Sequence, residues 1–325
     1  MSISVAMCTY NGSKFLLEQL TSIANQTQAV DELVVCDDCS TDNTVEIIGQ
    51  FAKTVTFPVQ VFVNSTNLGS NRNFEKCLSL CQNEIIILCD QDDVWLPQKV
   101  EKICVCFTTN KHIDGVFSNA NIIDEHSNLT GQTAWEAVSF DTKAQNLWKN
   151  GQAFDILLRG YVVTGATLAI RRYILPEILP VPTLIKELIH DGWIALWLSI
   201  DNRIMMVEEP LVLYRQHTSQ QVGFGTQTKK IGFLDRFSRP RSQKHESILK
   251  KYHDSKNLYE YMVKQETMPT HYTILLKSRV AHYEVRSTLS DNILNRLLPI
   301  LKNYRQYQAH DAGHWWKTML GDIFE

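Results

Sequence analysis

Blocks of apolar positions alternate with polar ones through the first hundred residues. Residues 3–7 are a short apolar run and read as a buried strand. Residues 13–25 carry Phe15, Leu16, Leu20 and Ile23 at helical spacing, and residues 32–36 read as a second strand that runs into acidic residues. Asp42 opens a helix bearing Thr44, Val45, Ile47, Ile48 and Phe51. A third strand is expected at 59–63. A third helix at 73–81 sets Phe74, Cys77, Leu78 and Cys81 on one face, and a fourth strand at 84–89 is nearly all β-branched or Leu. This order predicts an α/β fold, a mostly parallel sheet flanked by helices. In such sheets ligands bind beyond the carboxyl ends of the strands. Polar clusters stand at those ends: Thr9, Tyr10 and Asn11; Asp37 and Asp38; residues 67–72; and Asp90, Gln91, Asp92 and Asp93. Four loops are therefore expected to meet at one site.

After Pro97 the pattern loosens. Residues 115–118, 164–170 and 203–207 read as strands, and 185–199 as a helix whose Trp193 and Trp197, four apart, are expected in the core. Beyond about residue 227 the chain becomes helical, basic and aromatic. The expected organisation is two halves of one domain, 1–106 and 107–228, followed by a helical C-terminal extension, 229–325. No internal repeat or low-complexity segment is visible.

The chain's 325 residues exceed one small core. A formal net charge of −3 argues against a nucleic-acid partner, but it hides an asymmetry. Residues 1–228 hold 15 Lys and Arg against 25 Asp and Glu; residues 229–325 hold 17 against 10. The basic region begins with Arg236, Arg239, Arg241, Lys244, Lys250 and Lys251, and continues into Leu294, Leu297, Leu298, Ile300 and Leu301, with Trp315 and Trp316 near its end. That combination suits peripheral membrane contact. Packing onto the catalytic body, or a homodimer, suits it equally. No apolar run reaches the roughly 18–20 residues of a membrane span, and residues 1–7 lack the features of a signal peptide. The expected location is the cytoplasm, with peripheral attachment to the inner face of the membrane as an option.

All eight cysteines fall between Cys8 and Cys106, unlike a small extracellular disulfide scaffold. The Cys36–Cys39 spacing reads as incidental, since no second pair offers zinc ligands. Cys77 and Cys81 read as core packing.

Three carboxylates within four residues, delivered by an apolar strand, repel one another unless a cation or donors compensate. Magnesium-type ions commonly join one or two carboxylates to substrate phosphates, so Asp90, Asp92 and Asp93 point to a metal–diphosphate site. The structural alternative is that Asp92 or Asp93 caps a helix at 96–103. A Walker loop, a Gly-x-Gly-x-x-Gly turn and a Gly-x-Ser-x-Gly elbow are all missing, which weighs against a P-loop triphosphatase, a dinucleotide oxidoreductase and a serine hydrolase.

Residues 5–12 (VAMCTYNG), 34–44 (VVCDDCSTDNT), Asn67-Leu68-Gly69 with Arg72-Asn73, and 89–95 (CDQDDVW) with Pro97 and Lys99 occur in this order. Together they resemble family-2 inverting glycosyltransferases of the A-type fold, the Asp-Gln-Asp-Asp form being common among rhamnosyltransferase-like members. The resemblance implies that Thr9, Tyr10 and Asn11 belong to the loop at the nucleotide base and that Asp38 accepts from the base. It implies that Arg72 approaches base or diphosphate, with a surface salt bridge equally open. Asp93 would ligate Mn2+ or Mg2+, Asp92 would contact ribose or assist the metal, and Asp90 would orient its neighbours. His190-Asp191-Gly192-Trp193 is similar to the segment that carries the general base, here Asp191; the plainer reading is a helix cap. Tyr214-Arg215-Gln216-His217, with Gln221 and Gly223, resembles a segment in which His217 completes the metal shell and Arg215 meets the diphosphate. Thr164-Gly165-Ala166 resembles an acceptor-side turn. The implied activity is inverting transfer of rhamnose or another hexose from a nucleoside-diphosphate-sugar to a glycan or lipid-linked saccharide in surface polysaccharide synthesis. A nucleotidyltransferase and a non-catalytic nucleotide-sugar-binding protein remain as alternatives.

Overall fold

The computed structural model of the protein describes residues 1–185, 188–218, 220, 241–265, 268–311 and 315–324. Gln221, Gly223, Arg236 and Arg239, and the boundary expected near residue 228, lie outside the described residues. The chain divides into two compact units, one of residues 1–181 and 188–224, the other of 182–187 and 225–325.

The first unit opens with the expected alternation: β1 (Ile3–Thr9), α1 (Leu16–Ala24), β2 (Glu32–Asp37), α2 (Thr44–Phe51), β3 (Val59–Val63), α3 (Ser70–Leu80) and β4 (Ile85–Cys89). These strands lie in the order β3–β2–β1–β4, all parallel. Thr9 pairs with Asp37 and Met7 with Cys89, so β1 and β2 end level, β4 ends two residues earlier, and their loops leave from one edge. The side chains of β4 are buried throughout, as its unbroken apolar run required. Each aliphatic side chain so buried contributes about 1.5–3 kcal/mol.

The second half of this unit adds β5 (Val94–Trp95), α4 (Lys99–Thr109), β6 (Gly115–Ile123), β7 (Leu129–Thr133), β8 (Leu168–Arg171), α9 (His190–Ser199) and β9 (Ile204–Arg215), with short helices α5 (Ala134–Ala137), α6 (Thr142–Leu147), α7 (Ala153–Leu157) and α8 (Leu175–Ile178) between them. The sheet continues β4–β8–β6–β9–β5, with β7 on β6. β8 runs antiparallel to both neighbours, β9 is parallel to β6, and β5 is antiparallel to β9. The sheet is thus parallel across β3–β2–β1–β4 and mixed beyond. β9 runs well past the strand expected at 203–207. Its register on β6 shifts around Asn119, where Pro210 pairs, and such an irregularity is where a strand tolerates proline. The expected strand at 164–170 begins instead as a helical turn, Gly165–Thr167, and the helix expected from 185 begins at His190. Trp193 and Trp197 pack together in the interior, with ring centroids 5.6 Å apart. All eight cysteines are free thiols, and Cys77 and Cys81 are buried.

The second unit contains α10 (Arg241–Val263), α11 (Thr270–Ser287), α12 (Ile293–Lys302), α13 (Tyr304–His310) and α14 (Trp315–Phe324). Its interior joins Met262, Leu276, Tyr283, Ile300 and Tyr307 to a polar centre. There Arg286 donates to Asp322 at 2.7 Å, and the Tyr307 hydroxyl donates to the same carboxylate at 2.7 Å. Among the described residues no helix is long and apolar enough to cross a membrane.

Candidate active site

The loops after β1, β2 and β4 are stitched to one another by side chains. Thr9 donates to Asp37 at 2.8 Å, and the Asp38 amide donates to the Thr9 carbonyl. The Asn11 amide donates to Ser40 Oγ while Asn11 Oδ1 accepts from the Thr41 amide, both at 2.8 Å. Asn11 and Cys39 sit at φ of 48° and 66°, a backbone region non-glycine residues seldom enter and one often found at functional loops. Gln91 clamps the first loop from across the site. Its Oε1 accepts from the Tyr10 amide at 2.8 Å and its Nε2 donates to the Tyr10 carbonyl at 3.1 Å. A Cβ on Gly12 would stand 2.1 Å from that Oε1, so the clamp needs glycine there.

These loops line a cavity of about 460 Å³ at the carboxyl end of the parallel strands. Thr9, Tyr10, Asn11 and Asp38 line it on one side; Asp90, Gln91 and Asp92 form another wall; Asp191 and His217 also face it. Asp38 is buried, and its carboxylate gathers the next loop by accepting from Asn64 and from the Leu68 and Gly69 amides.

Neither acidic segment serves as a helix cap. Helix α4 starts at Lys99 with Gln98 at its cap and no side-chain cap bond, whereas Asp92 and Asp93 precede β5. Asp92 Oδ2 lies 2.8 Å from His217 Nε2. Asp93 is buried and does not line the cavity; one oxygen accepts from the Arg215 amide at 2.9 Å, and the other, Oδ2, is buried with no hydrogen-bond partner among the described residues. Desolvation, then repulsion from Asp92 and Asp191, pushes Asp90 up to about 7; desolvation and its acidic neighbours raise Asp93 as well. The residues fit a hard divalent cation held by carboxylate and imidazole with phosphate completing the shell. Among the described residues, no group of three or more His, Cys, Asp or Glu side chains is assembled as a cage able to hold a metal by itself.

Asp191 lies in the first turn of α9, with Ile189 at the cap position. Its Oδ2 accepts from the Gly165 amide at 2.7 Å and its Oδ1 from the Gly192 amide at 2.6 Å. The turn at Gly165 thus orients the carboxylate. A Cβ at Gly165 would come within 3.1 Å of His190 and 3.4 Å of Asp191.

The two arginines take other positions. Arg72 pairs with Glu75 at 2.6 Å on α3 and does not line the cavity, which matches the surface salt bridge rather than a ligand contact. Arg215 is fully buried and does not line the cavity either. Its guanidinium donates to Glu18 at 2.6 Å, to Ser127 at 2.8 Å and to the Asp92 carbonyl at 2.7 Å, and lies over the Phe15 ring. The expected diphosphate contact is corrected: those donors are spent on holding the acidic loop.

Three residues without an assigned role also shape the site. Gln91 is one. Lys99, buried, donates to the Ala166 carbonyl at 2.7 Å and sits 3.8 Å from the centre of the Trp95 ring; burial lowers its ammonium to about 7. His190, buried and stacked on Phe74 at 4.0 Å, faces the cavity with neither ring nitrogen hydrogen-bonded among the described residues, and burial lowers its pKa. The signal for Gln91 and Lys99 was their place in the acidic motif; for His190 it was adjacency to Asp191.

Fold and cavity define an α/β protein whose strand-end site suits a nucleoside diphosphate. The chain belongs to glycosyl transferase family 2, whose sequence model matches residues 4–178, more than half of it. It is 27% identical over 241 residues to dTDP-rhamnosyl transferase RfbG of Shigella flexneri, covering 70% of this chain and 78% of that one. It is 26% identical over 223 residues to an uncharacterized glycosyltransferase, alr2836, of Nostoc sp. (strain PCC 7120), covering 67% of this chain and 65% of the relative, just under two thirds of its length. Among solved structures it is similar to residues 1–349 of S. aureus TarS, with a TM-score of 0.58 and 16% identity over 99% of this chain and 89% of that one. It is also similar to the mannosyltransferase PcManGT of Pyrobaculum calidifontis in complex with GDP-Man and Mn2+, with a TM-score of 0.51 and 14% identity over 99% and 84% of the two chains. These structural likenesses establish a shared A-type glycosyltransferase fold.

Proposed function

We propose that this protein is an inverting glycosyltransferase that moves a hexose from a nucleoside-diphosphate-sugar to a saccharide or lipid-linked saccharide acceptor. The observation that carries the reading is that Asp90, Gln91, Asp92, His217 and Asp191 border one cavity built on family-2 loops, with Asp93 buried next to Asp92. Residues 1–106 form the donor half, with Thr9, Tyr10, Asn11 and Asp38 around the base, and residues 107–228 the acceptor half. Asp93, with Asp92 and His217, would hold Mn2+ or Mg2+, which supplies positive charge to the departing diphosphate. The PcManGT complex with Mn2+ supports that choice of ion.

Asp191 accepts the proton of the acceptor hydroxyl as that oxygen bonds to the anomeric carbon and the bond from that carbon to the diphosphate oxygen breaks. Attack opposite the leaving group inverts the centre. The Gly165 and Gly192 amides hold the carboxylate aimed for this task. His190, neutral and unbonded at the cavity wall, offers one donor and one acceptor to a sugar hydroxyl.

Likeness to the dTDP-rhamnosyl transferase RfbG supports dTDP-rhamnose as donor. A panel of dTDP-, UDP- and GDP-sugars, read by nucleoside diphosphate release, tests the reading: turnover of one donor supports it, pyrophosphate release would instead indicate nucleotidyl transfer, and no turnover with any acceptor mixture would argue for binding alone.

A further inference from the structure

Helix α12 is inside out for a soluble bundle. Leu294, Leu297, Leu298 and Leu301 recur at i, i+3, i+4 and i+7, the spacing of one continuous face. In a globular protein that face belongs in the core. Here Leu294, Leu298 and Leu301 are 75%, 61% and 60% exposed, while the opposite face buries Arg296. Arg296 is held there by backbone carbonyls of Ser290, Asp291 and Ile323. The burial of a guanidinium while leucines stay in water is a large departure from ordinary residue placement. The adjoining helix α14 leaves Trp316 and Phe324 exposed as well.

Charge selects the occupant of this face. Among the described residues of α12, α13 and α14, the exposed ionised side chains are Lys302, Arg305 and Lys317, all cations. The carboxylate of these helices, Asp322, is buried against Arg286. A second copy of the chain meeting the same face about a two-fold axis would set cations near cations. An anionic bilayer surface satisfies both features, since leucines enter the acyl boundary, Trp316 sits at the headgroup level, and lysine and arginine meet lipid phosphates.

We infer that the exposed leucine face of α12, together with the exposed cations of α12, α13 and α14, docks the protein on the surface of an anionic membrane. The inference rests on the second unit alone and stands apart from the transfer reaction. The full-length protein is sedimented with vesicles of phosphatidylcholine and with vesicles of equal parts phosphatidylcholine and phosphatidylglycerol. Wild type is expected to partition at least about tenfold more strongly onto the anionic vesicles. A Leu294→Gln, Leu298→Gln, Leu301→Gln variant, altered only at exposed positions and checked for unchanged helical circular dichroism, should lose at least about tenfold of that binding. A Lys302→Gln, Arg305→Gln, Lys317→Gln variant should fall to the level seen on phosphatidylcholine. Wild type that stays in the supernatant with both vesicles overturns the inference, as does a leucine variant that binds like wild type. A dimer in light scattering that the leucine changes dissolve, with no vesicle binding, overturns it in favour of a second copy.

Discussion

At the scale of single residues, the chemistry depends on how carboxylates are held. Asp191 receives two backbone amides, which fix the direction of its oxygens. Asp191→Asn keeps the shape and removes the proton acceptor, so it should lower transfer about 10²–10⁴-fold. Donor affinity, followed by titration, should stay within about twofold; an unchanged transfer rate would remove Asp191 as the base. The acidic cluster predicts a pH dependence. Asp90 titrates near 7, raised from 3.8 by burial and acidic neighbours, so below about 7 an incoming cation must displace a proton. Calorimetric affinity for Mn2+ alone should therefore tighten from about pH 6 to about pH 8, with protons released on binding; affinity flat across that range would contradict the assignment. The motif spacing made most of this site legible: Thr9, Tyr10, Asn11, Asp38, Asp92, Asp191 and His217 do border one cavity. The arginines were not, because a sequence does not say which way a long side chain turns. Arg72 has its partner three residues on, but Arg215 finds Glu18 across 197 positions.

At the scale of elements, β9 acts as a strap across the acidic loop. Its last residue gives an amide to Asp93 and a guanidinium to Glu18, Ser127 and the Asp92 carbonyl. Arg215→Met keeps volume and removes these charged hydrogen bonds. The first unit should lose about 1.5–3 kcal/mol in urea denaturation, toward the lower end because Glu18 is partly exposed and rehydrates. Stability equal to wild type would show that the strap is held by packing alone. The parallel strands were readable because each is a run of apolar residues between turns. The mixed half was not: β5 has two residues and β8 four, too short for a period to show. Glu208, Glu209 and Pro210 interrupt β9 where its register shifts, so its reach to Arg215 was hidden.

At the scale of the whole molecule, the basic helical character of the C-terminal region was visible in composition, but its polar centre was not. Arg286, Tyr307 and Asp322 come from three helices and share one buried carboxylate. Asp322→Asn leaves Arg286 only the more distant Asp311, 3.7 Å away, as counter-charge and should destabilise the second unit by about 3 kcal/mol, the low end for a broken buried pair, seen as an earlier thermal transition by calorimetry. An unshifted transition would mean that Arg286 is compensated elsewhere. A cation-assisted transfer site at the Asp90–Asp93 segment is tested by nucleoside diphosphate release from the accepted donor. Wild type with Mn2+ should release it, and both chelation and Asp93→Asn should reduce the rate by at least about a hundredfold. Wild-type rates in chelator, or full activity of Asp93→Asn, would contradict it.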